Sequence, residues 1–212
     1  MTKYFITIAG NIGVGKSTLV RLLAERSGWE AVFEAVAENP YLSDFYQNMR
    51  RWSFQSQVFF LSRRLQQHHT LLQQPGSIIQ DRSVYEDAEI FARNLYDQGD
   101  MSERDWTCYL DLYKTLTMLL QPPDLVIYLS ASVPTLRRRI ATRGRGYEKE
   151  ISDDYLLRLN RLYDAWSDGF RFSPVLTLNT DGLDYVQNEE HLELIWHKIE
   201  DRLHGKEYLA LS

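Results

Sequence analysis

The run Gly10-Asn11-Ile12-Gly13-Val14-Gly15-Lys16-Ser17 matches the pattern G-x-x-x-x-G-K-[ST], and these residue types suit a cradle for nucleotide phosphates. Glycines let successive backbone N–H groups curl around an anion, and a helix starting at the lysine adds the partial positive charge of its N-terminus. Lys16 would reach the terminal phosphates and Ser17 would offer its hydroxyl to Mg²⁺. Other reactive groups follow β-rich runs: residues 30–33 end in Glu34, and residues 77–80 end in Asp81-Arg82. A carboxylate there can accept a proton from an attacking hydroxyl, and Asp81 can support Mg²⁺. Each acid, taken singly, could equally cap the next helix. Finally, Arg137, Arg138, Arg139, Arg143 and Arg145 crowd one short stretch that contains no acid. A basic run is ordinarily a solvated helix face. Beside a phosphate cradle it can instead close over a phosphoryl group in transit and stabilise the charge spread over it.

These groups must be positioned by an alternation of strands and helices. Apolar β-rich runs fall at 4–9, 30–33, 77–80, 124–130 and 174–178, and helical periodicity covers 16–27, 41–73, 84–96, 102–120, 133–142, 152–168 and 189–204. In the second helix, Phe54, Val58, Leu61, Leu65 and Leu72 form an apolar stripe, and Ser102 with Glu103 marks a capped helix start. Short runs that are apolar on both faces suit parallel strands covered by helices. The expected fold is α/β, a doubly wound five-stranded parallel sheet of the P-loop kinase type with an arginine-rich lid. Such sheets bind ligands at the carboxyl ends of their strands, which gathers the glycine loop, Glu34 and Asp81-Arg82 into one crevice. With no repeat, low-complexity tract or linker, residues 1–212 read as one domain with a lid at about 139–150.

Composition narrows the function. The chain has 212 residues, 24 Lys+Arg against 29 Asp+Glu and a formal charge of −5, so no nucleic-acid partner is expected. The N-terminal residues enter a strand pattern without a small-residue cleavage site, and no apolar run approaches the ~20 residues that span a bilayer. A cytoplasmic protein without membrane contact is expected. The one cysteine, Cys108, reads as a small core residue, His68 and His69 as solvent residues, and Trp52, Trp106, Trp166 and Trp196 as packing. Neither a D-x-x-G nor an N-K-x-D motif occurs, which argues against a regulatory GTPase and narrows the reading to a small-molecule kinase. Two rivals stand beside it: a nucleoside monophosphate kinase of the thymidylate kinase type, and a non-catalytic P-loop ATP-binding regulator. The first needs extra cations for a substrate phosphate, where Glu34 is a poor neighbour. The second has no use for a set of substrate-binding side chains.

At this level of detail the chain resembles the deoxynucleoside kinases, and it is most similar to their bacterial deoxyadenosine/deoxyguanosine branch. The resemblance spans about residues 4–200 and rests on Gly10 to Thr18, Glu34-Ala35-Val36 with Glu38-Asn39-Pro40-Tyr41, Trp52-Ser53-Phe54 leading to Gln57 and Arg64, Asp81-Arg82-Ser83-Val84-Tyr85, and Arg139 through Arg143-Gly144-Arg145 to Glu148. It implies an ATP-dependent kinase acting on the 5′-hydroxyl of a 2′-deoxynucleoside in nucleotide salvage. Glu34 would be the base, Arg82 would hold the hydroxyl region, and Asp81 would join Ser17 at Mg²⁺. Tyr46 and Glu148 would grip the sugar 3′-hydroxyl, with Tyr46 also crowding a 2′-hydroxyl. Gln57, Arg64 and Asp87 would read the base and Phe91 would stack on it. The lid arginines fall on Arg139, Arg143 and Arg145. The Gln57, Arg64, Asp87 set suits a base bearing an amino group, so deoxyadenosine, deoxyguanosine or deoxycytidine is expected over thymidine. Gln55 competes with Gln57 as base reader, and Ala35 stands where the family often has proline. A homodimer is implied, through the helices at 54–73 and 102–120.

Overall fold

The computed structural model describes residues 2–33, 39–148 and 151–204. Strands β1 (Phe5–Gly10), β2 (Glu30–Val32), β3 (Ile78–Asp81), β4 (Leu125–Ser130) and β5 (Val175–Asn179) form one sheet in the order β2-β3-β1-β4-β5. Every pairing is parallel, as the α/β expectation required. All residues of β1 and β3 are buried, which explains why these runs lack the alternation of a half-solvated strand. In the β1–β3 register Ile8 faces Asp81, and in the β1–β4 register Gly10 faces Leu129. The ends of β1 and β3 therefore lie side by side, where an open parallel sheet forms its binding crevice.

Helix α1 (Lys16–Ser27) packs on β1, β2 and β3 and meets α8 (Glu189–His204). After β2 come α2 (Leu42–Gln47) and α3 (Met49–Gln73). A π-helical segment, Asp87–Ala92, continues into α4 (Arg93–Asp97) and packs against α3, α5 (Glu103–Thr117) and α7 (Asp153–Gly169). Helix α6 (Val133–Arg143) runs into a 3₁₀ turn, Gly146–Glu148. Ser102 caps α5 as its sequence suggests, its hydroxyl accepting from the Asp105 N–H at 3.1 Å. None of the described helices is long and apolar enough to cross a membrane.

Several expectations need correction. The helical stretch 41–73 is two helices. Asn48 leaves helical dihedrals (φ −149°, ψ 79°), and its side chain accepts from the Arg51 N–H at 3.1 Å, so it ends α2 and caps α3. The buried face of α3 is also not the leucine stripe: Phe54, Val58, Leu65 and Leu72 are only partly covered, while Ser53, Gln57, Arg64 and His68 are buried beside Leu61. His68 is thus a core residue, edge-on to Phe5 with centroids 5.3 Å apart, and burial lowers its pKa; His69 remains exposed. Cys108 lies on the exposed side of α5 and not in the core, because the buried face of that helix is taken by Tyr109 and Tyr113. The helix expected at 84–96 begins at Tyr85, and its middle, Asp87–Ala92, is π-helical.

Candidate active site

The phosphate loop joins β1 to α1 through glycines at positive φ. At Gly15 (φ 108°) an added Cβ would also lie 2.2 Å from the Tyr185 hydroxyl, so both conformation and space demand glycine. Lys16 is buried, with Nζ turned onto the carbonyls of Gly10 and Asn11 at 2.8 and 3.0 Å. Asn11 is buried too: its amide donates to Leu156 O (2.9 Å) and Asn160 Oδ1 (2.7 Å), and its own oxygen accepts from the Ile12 N–H. Of the residues assigned to the nucleotide, Asn11 therefore ties the loop to α7 with its side chain. Arg139 and Tyr185 brace the loop from outside. Arg139 donates to Val14 O at 2.8 Å and to Thr180 Oγ1 and O at 2.9 and 2.8 Å, and the Tyr185 hydroxyl reaches Gly15 O at 3.3 Å.

Next to this loop, the Ser17 hydroxyl donates to Asp81 Oδ2. The other carboxylate oxygen of Asp81 is buried with no hydrogen-bond partner among the described residues. A hydroxyl and an acidic oxygen, one of them unsatisfied, are the hard donors Mg²⁺ selects when it completes its shell with water and nucleotide phosphates. The pair fits that ion.

Arg82 follows at φ 68°, the lone non-glycine residue at positive φ among those described. A left-handed arginine costs about 1–2 kcal/mol and persists only where surrounding structure fixes it. Its N–H donates to Ile8 O at 3.0 Å, and its guanidinium lies 4.2 Å from the Phe91 ring centre, a cation–π contact. Farther along the same wall, Arg64 Nε stands 2.7 Å from both carboxylate oxygens of Asp87, a pair that is almost fully buried. Gln57, about two turns before Arg64 on α3, is buried with its Oε1 lacking a partner among the described residues. Gln55 instead turns to Arg51, its amide nitrogen donating to the Arg51 carbonyl at 3.3 Å and its oxygen accepting from the guanidinium at 3.0 Å. At the lid, Glu148 is buried and accepts from Arg143 Nε at 3.0 Å and Nη2 at 2.6 Å, with Arg145 Nη1 3.6 Å away.

These groups enclose two adjoining cavities. The first, about 290 Å³, is walled by Lys16, Ser17, Tyr46, Gln57, Arg64, Asp81, Arg82, Asp87, Phe91, Arg143, Arg145 and Glu148, joined by Ile12, Gly13, Phe33, Leu42, Phe45, Phe60 and Tyr155. The second, about 740 Å³, shares Gly13, Lys16, Ser17, Arg143 and Arg145 and adds Thr18, Arg138, Arg139, Thr142 and residues 181–186. A cavity walled by aromatic and charged side chains thus adjoins a larger one lined by the phosphate loop. Arg139 belongs to the second cavity alone, whereas Arg143 and Arg145 face both. Glu34 lies outside the described residues.

The deoxynucleoside kinase family profile matches residues 6–204. The chain belongs to the deoxynucleoside kinase family. It is 38% identical over 204 residues to the deoxyadenosine/deoxycytidine kinase of Bacillus subtilis, covering 95% of this chain and 94% of that one. It is 36% identical over 202 residues to the deoxyguanosine kinase of the same species, covering 92% and 95%. A solved structure of deoxyadenosine kinase from M. mycoides with bound dATP superposes with a TM-score of 0.82 at 31% identity, over 93% of this chain and 99% of that one. This deoxynucleoside kinase is accordingly a phosphotransferase, and the expected fold is the one it has.

Sequence reasoning missed several parts of this kinase's cavities. Tyr155 lines the first one and its pKa is pushed up to about 12, chiefly by burial, with the Arg82 charge acting the other way. Its signal was weak: an aromatic just inside a helix whose cap, Ser152, follows the lid. The segment 181–186 was legible in principle, because it follows the carboxyl end of β5, the rule already applied to β1 and β3. Phe33, Leu42, Phe45 and Phe60 carry no signal beyond being apolar.

Proposed function

We propose that this kinase transfers the γ-phosphoryl group of ATP to the 5′-hydroxyl of a 2′-deoxynucleoside whose base carries an amino group. The observation that carries the base preference is the buried Arg64–Asp87 pair beside Gln57, whose Oε1 has no partner among the described residues, all lining the first cavity. Asp87 held by Arg64 stays an acceptor for an exocyclic amino group, and the Gln57 amide can match more than one base edge. Deoxyadenosine, deoxyguanosine and deoxycytidine offer such a group and thymidine does not. Relatives named as deoxyadenosine/deoxycytidine and deoxyguanosine kinases agree with this choice.

In this reading the deoxynucleoside takes the first cavity and ATP the second. Phe91 stacks on the base, Tyr46 and Glu148 hold the 3′-hydroxyl, and Tyr46 excludes a 2′-hydroxyl. Glu34 takes the proton from the 5′-hydroxyl while Arg82 orients it. Lys16, Arg143 and Arg145 stabilise charge on the group in transit, and Arg139 keeps the loop shaped by its bond to Val14 O. Mg²⁺ held by Ser17 and Asp81 would neutralise phosphate charge. A single domain with a lid at about 139–150, a cytoplasmic salvage role and a homodimer complete the proposal. The dimer is supported by the half-covered Phe54, Val58 and Leu65 on α3 and the exposed Leu112 on α5.

ATP consumption against a panel of nucleosides and nucleotides tests the proposal. Turnover is expected with deoxyadenosine, deoxyguanosine or deoxycytidine, weakly with thymidine, and with no monophosphate. Turnover confined to monophosphates would overturn it. Glu34→Gln should retain deoxynucleoside binding while kcat drops on the order of 10²- to 10⁴-fold, the usual worth of a general base. Near-normal kcat would remove Glu34 from that role.

A further inference from the structure

Glu86 has no place in the mechanism above, yet it is completely buried among the elements that carry it. Its Oε1 accepts from the Ser83 N–H at 2.8 Å and lies 3.4 Å from the Ser83 hydroxyl. Its Oε2 accepts from the Tyr163 hydroxyl at 2.7 Å and lies 3.4 Å from the Gly10 N–H. All these neighbours are donors, which matches the acceptor-only character of an ionised carboxylate and not an amide. A buried charge is costly, and an apolar side chain of the same volume commonly serves stability at least as well. The charge therefore calls for a reason other than packing.

The contacts close a circuit around Arg82. Ser83 follows the left-handed Arg82, so the Glu86 carboxylate fixes one side of the turn whose other side is the Arg82 N–H on Ile8 O. Tyr163, whose hydroxyl Glu86 holds, presents its ring edge-on to Phe91 with centroids 6.3 Å apart, and Phe91 carries the Arg82 guanidinium on its face. Both the backbone and the side chain of Arg82 are thus referred to one carboxylate. We propose that Glu86 is a positioning residue for phosphoryl transfer, acting through Arg82 by way of Ser83 and Tyr163. The proposal rests on the deoxynucleoside kinase reading. The Gly10 contact, being long, extends the same hold to the start of the phosphate loop in a secondary way.

The test uses the full chain with Glu86→Gln, Tyr163→Phe and Arg82→Ala, alone and in combination, with deoxyadenosine and ATP. Misplacing a reacting group by about 1 Å costs on the order of 10²-fold, so Glu86→Gln should lower kcat by about that factor. Deoxyadenosine affinity, measured by calorimetry without ATP, should stay within about threefold, because Tyr46, Gln57, Arg64, Asp87 and Glu148 lie outside this circuit and Phe91 is the one base contact it shares. Combined with Arg82→Ala, Glu86→Gln should add no more than about threefold to the loss, since residues acting as a unit are non-additive. Losses that multiply, or a Glu86→Gln enzyme with kcat within about twofold of wild type, would overturn the proposal. Should Glu86→Gln not fold, Tyr163→Phe decides: a fall in kcat of about threefold to tenfold that disappears on an Arg82→Ala background supports it, and unchanged kcat overturns it. A wild-type enzyme that phosphorylates no deoxynucleoside would overturn the underlying kinase reading, and this proposal with it.

Discussion

Asp81 and Asp87, six residues apart, meet quite different surroundings. Asp81 has one oxygen engaged by Ser17 and one without a partner among the described residues, whereas both oxygens of Asp87 lie against Arg64. Removing Asp87 takes a carboxylate partner from the buried Arg64 guanidinium, and breaking a buried pair typically costs about 3–5 kcal/mol. Asp87→Ala should therefore lower the melting temperature markedly in thermal unfolding. The ratio of kcat/KM for deoxyadenosine over thymidine should also shrink; a lowered melting temperature with an unchanged ratio would show that the base is read elsewhere. The sequence resemblance singled out Arg64, Asp87 and Gln57 together, and the structure separates Gln57 from its competitor Gln55 by burial. Spacing favoured Gln57, which keeps Tyr46, Trp52 and Arg64 in register without a gap, and Gln55 and Gln57 differ in which face of α3 they occupy. Glu86, by contrast, was invisible. A glutamate in the Ser83-Val84-Tyr85-Glu86 stretch looks like ordinary helix-start surface until the fold folds it under the phosphate loop.

Helix α3 shows why pattern reading succeeds for the fold and slips at the site. Its leucines suggested a core-facing stripe, but Leu65 and Leu72 are only partly covered, and Ser53, Gln57, Arg64 and His68 are buried beside Leu61 and Leu71; of these, Gln57 and Arg64 line the first cavity. Strands β1, β3 and β4 were read correctly since apolar runs buried on both faces have few alternative uses. His68 carries a pH consequence of this inverted helix. Burial holds its folded-state pKa below the usual 6.5, so as pH falls through 6.5 the unfolded chain binds a proton that the folded one refuses. The stability it contributes is present above that range and declines below it, by at most about 1.4 kcal/mol per pH unit. Melting temperature should fall between pH 7 and 5 less steeply in His68→Gln than in wild type; equal slopes would show that His68 does not set the acid sensitivity.

Across the whole molecule, Arg143 and Arg145 belong to the walls of both cavities, and Glu148 gathers them at the lid. A ligand in either cavity therefore meets groups that also serve the other. Deoxyadenosine at about 100 times its Kd should stabilise the fold by about 2.7 kcal/mol, a rise of roughly 5–10 °C in melting temperature for a domain of this size. A smaller rise with thymidine in the same assay is expected, and equal rises would argue against the proposed base preference. The bracing of the phosphate loop has a consequence in time. Val14 and Gly15 are held by Arg139 and Tyr185, with the Gly15–Tyr185 contact spanning 170 residues of chain and Arg139 itself anchored on Thr180. A nascent chain emerging at about 5–20 residues per second has therefore displayed the glycine loop for many seconds before its braces exist. The nucleotide motif is synthesised 170 residues ahead of the tyrosine that braces it, and it acquires its working shape only once that residue has followed.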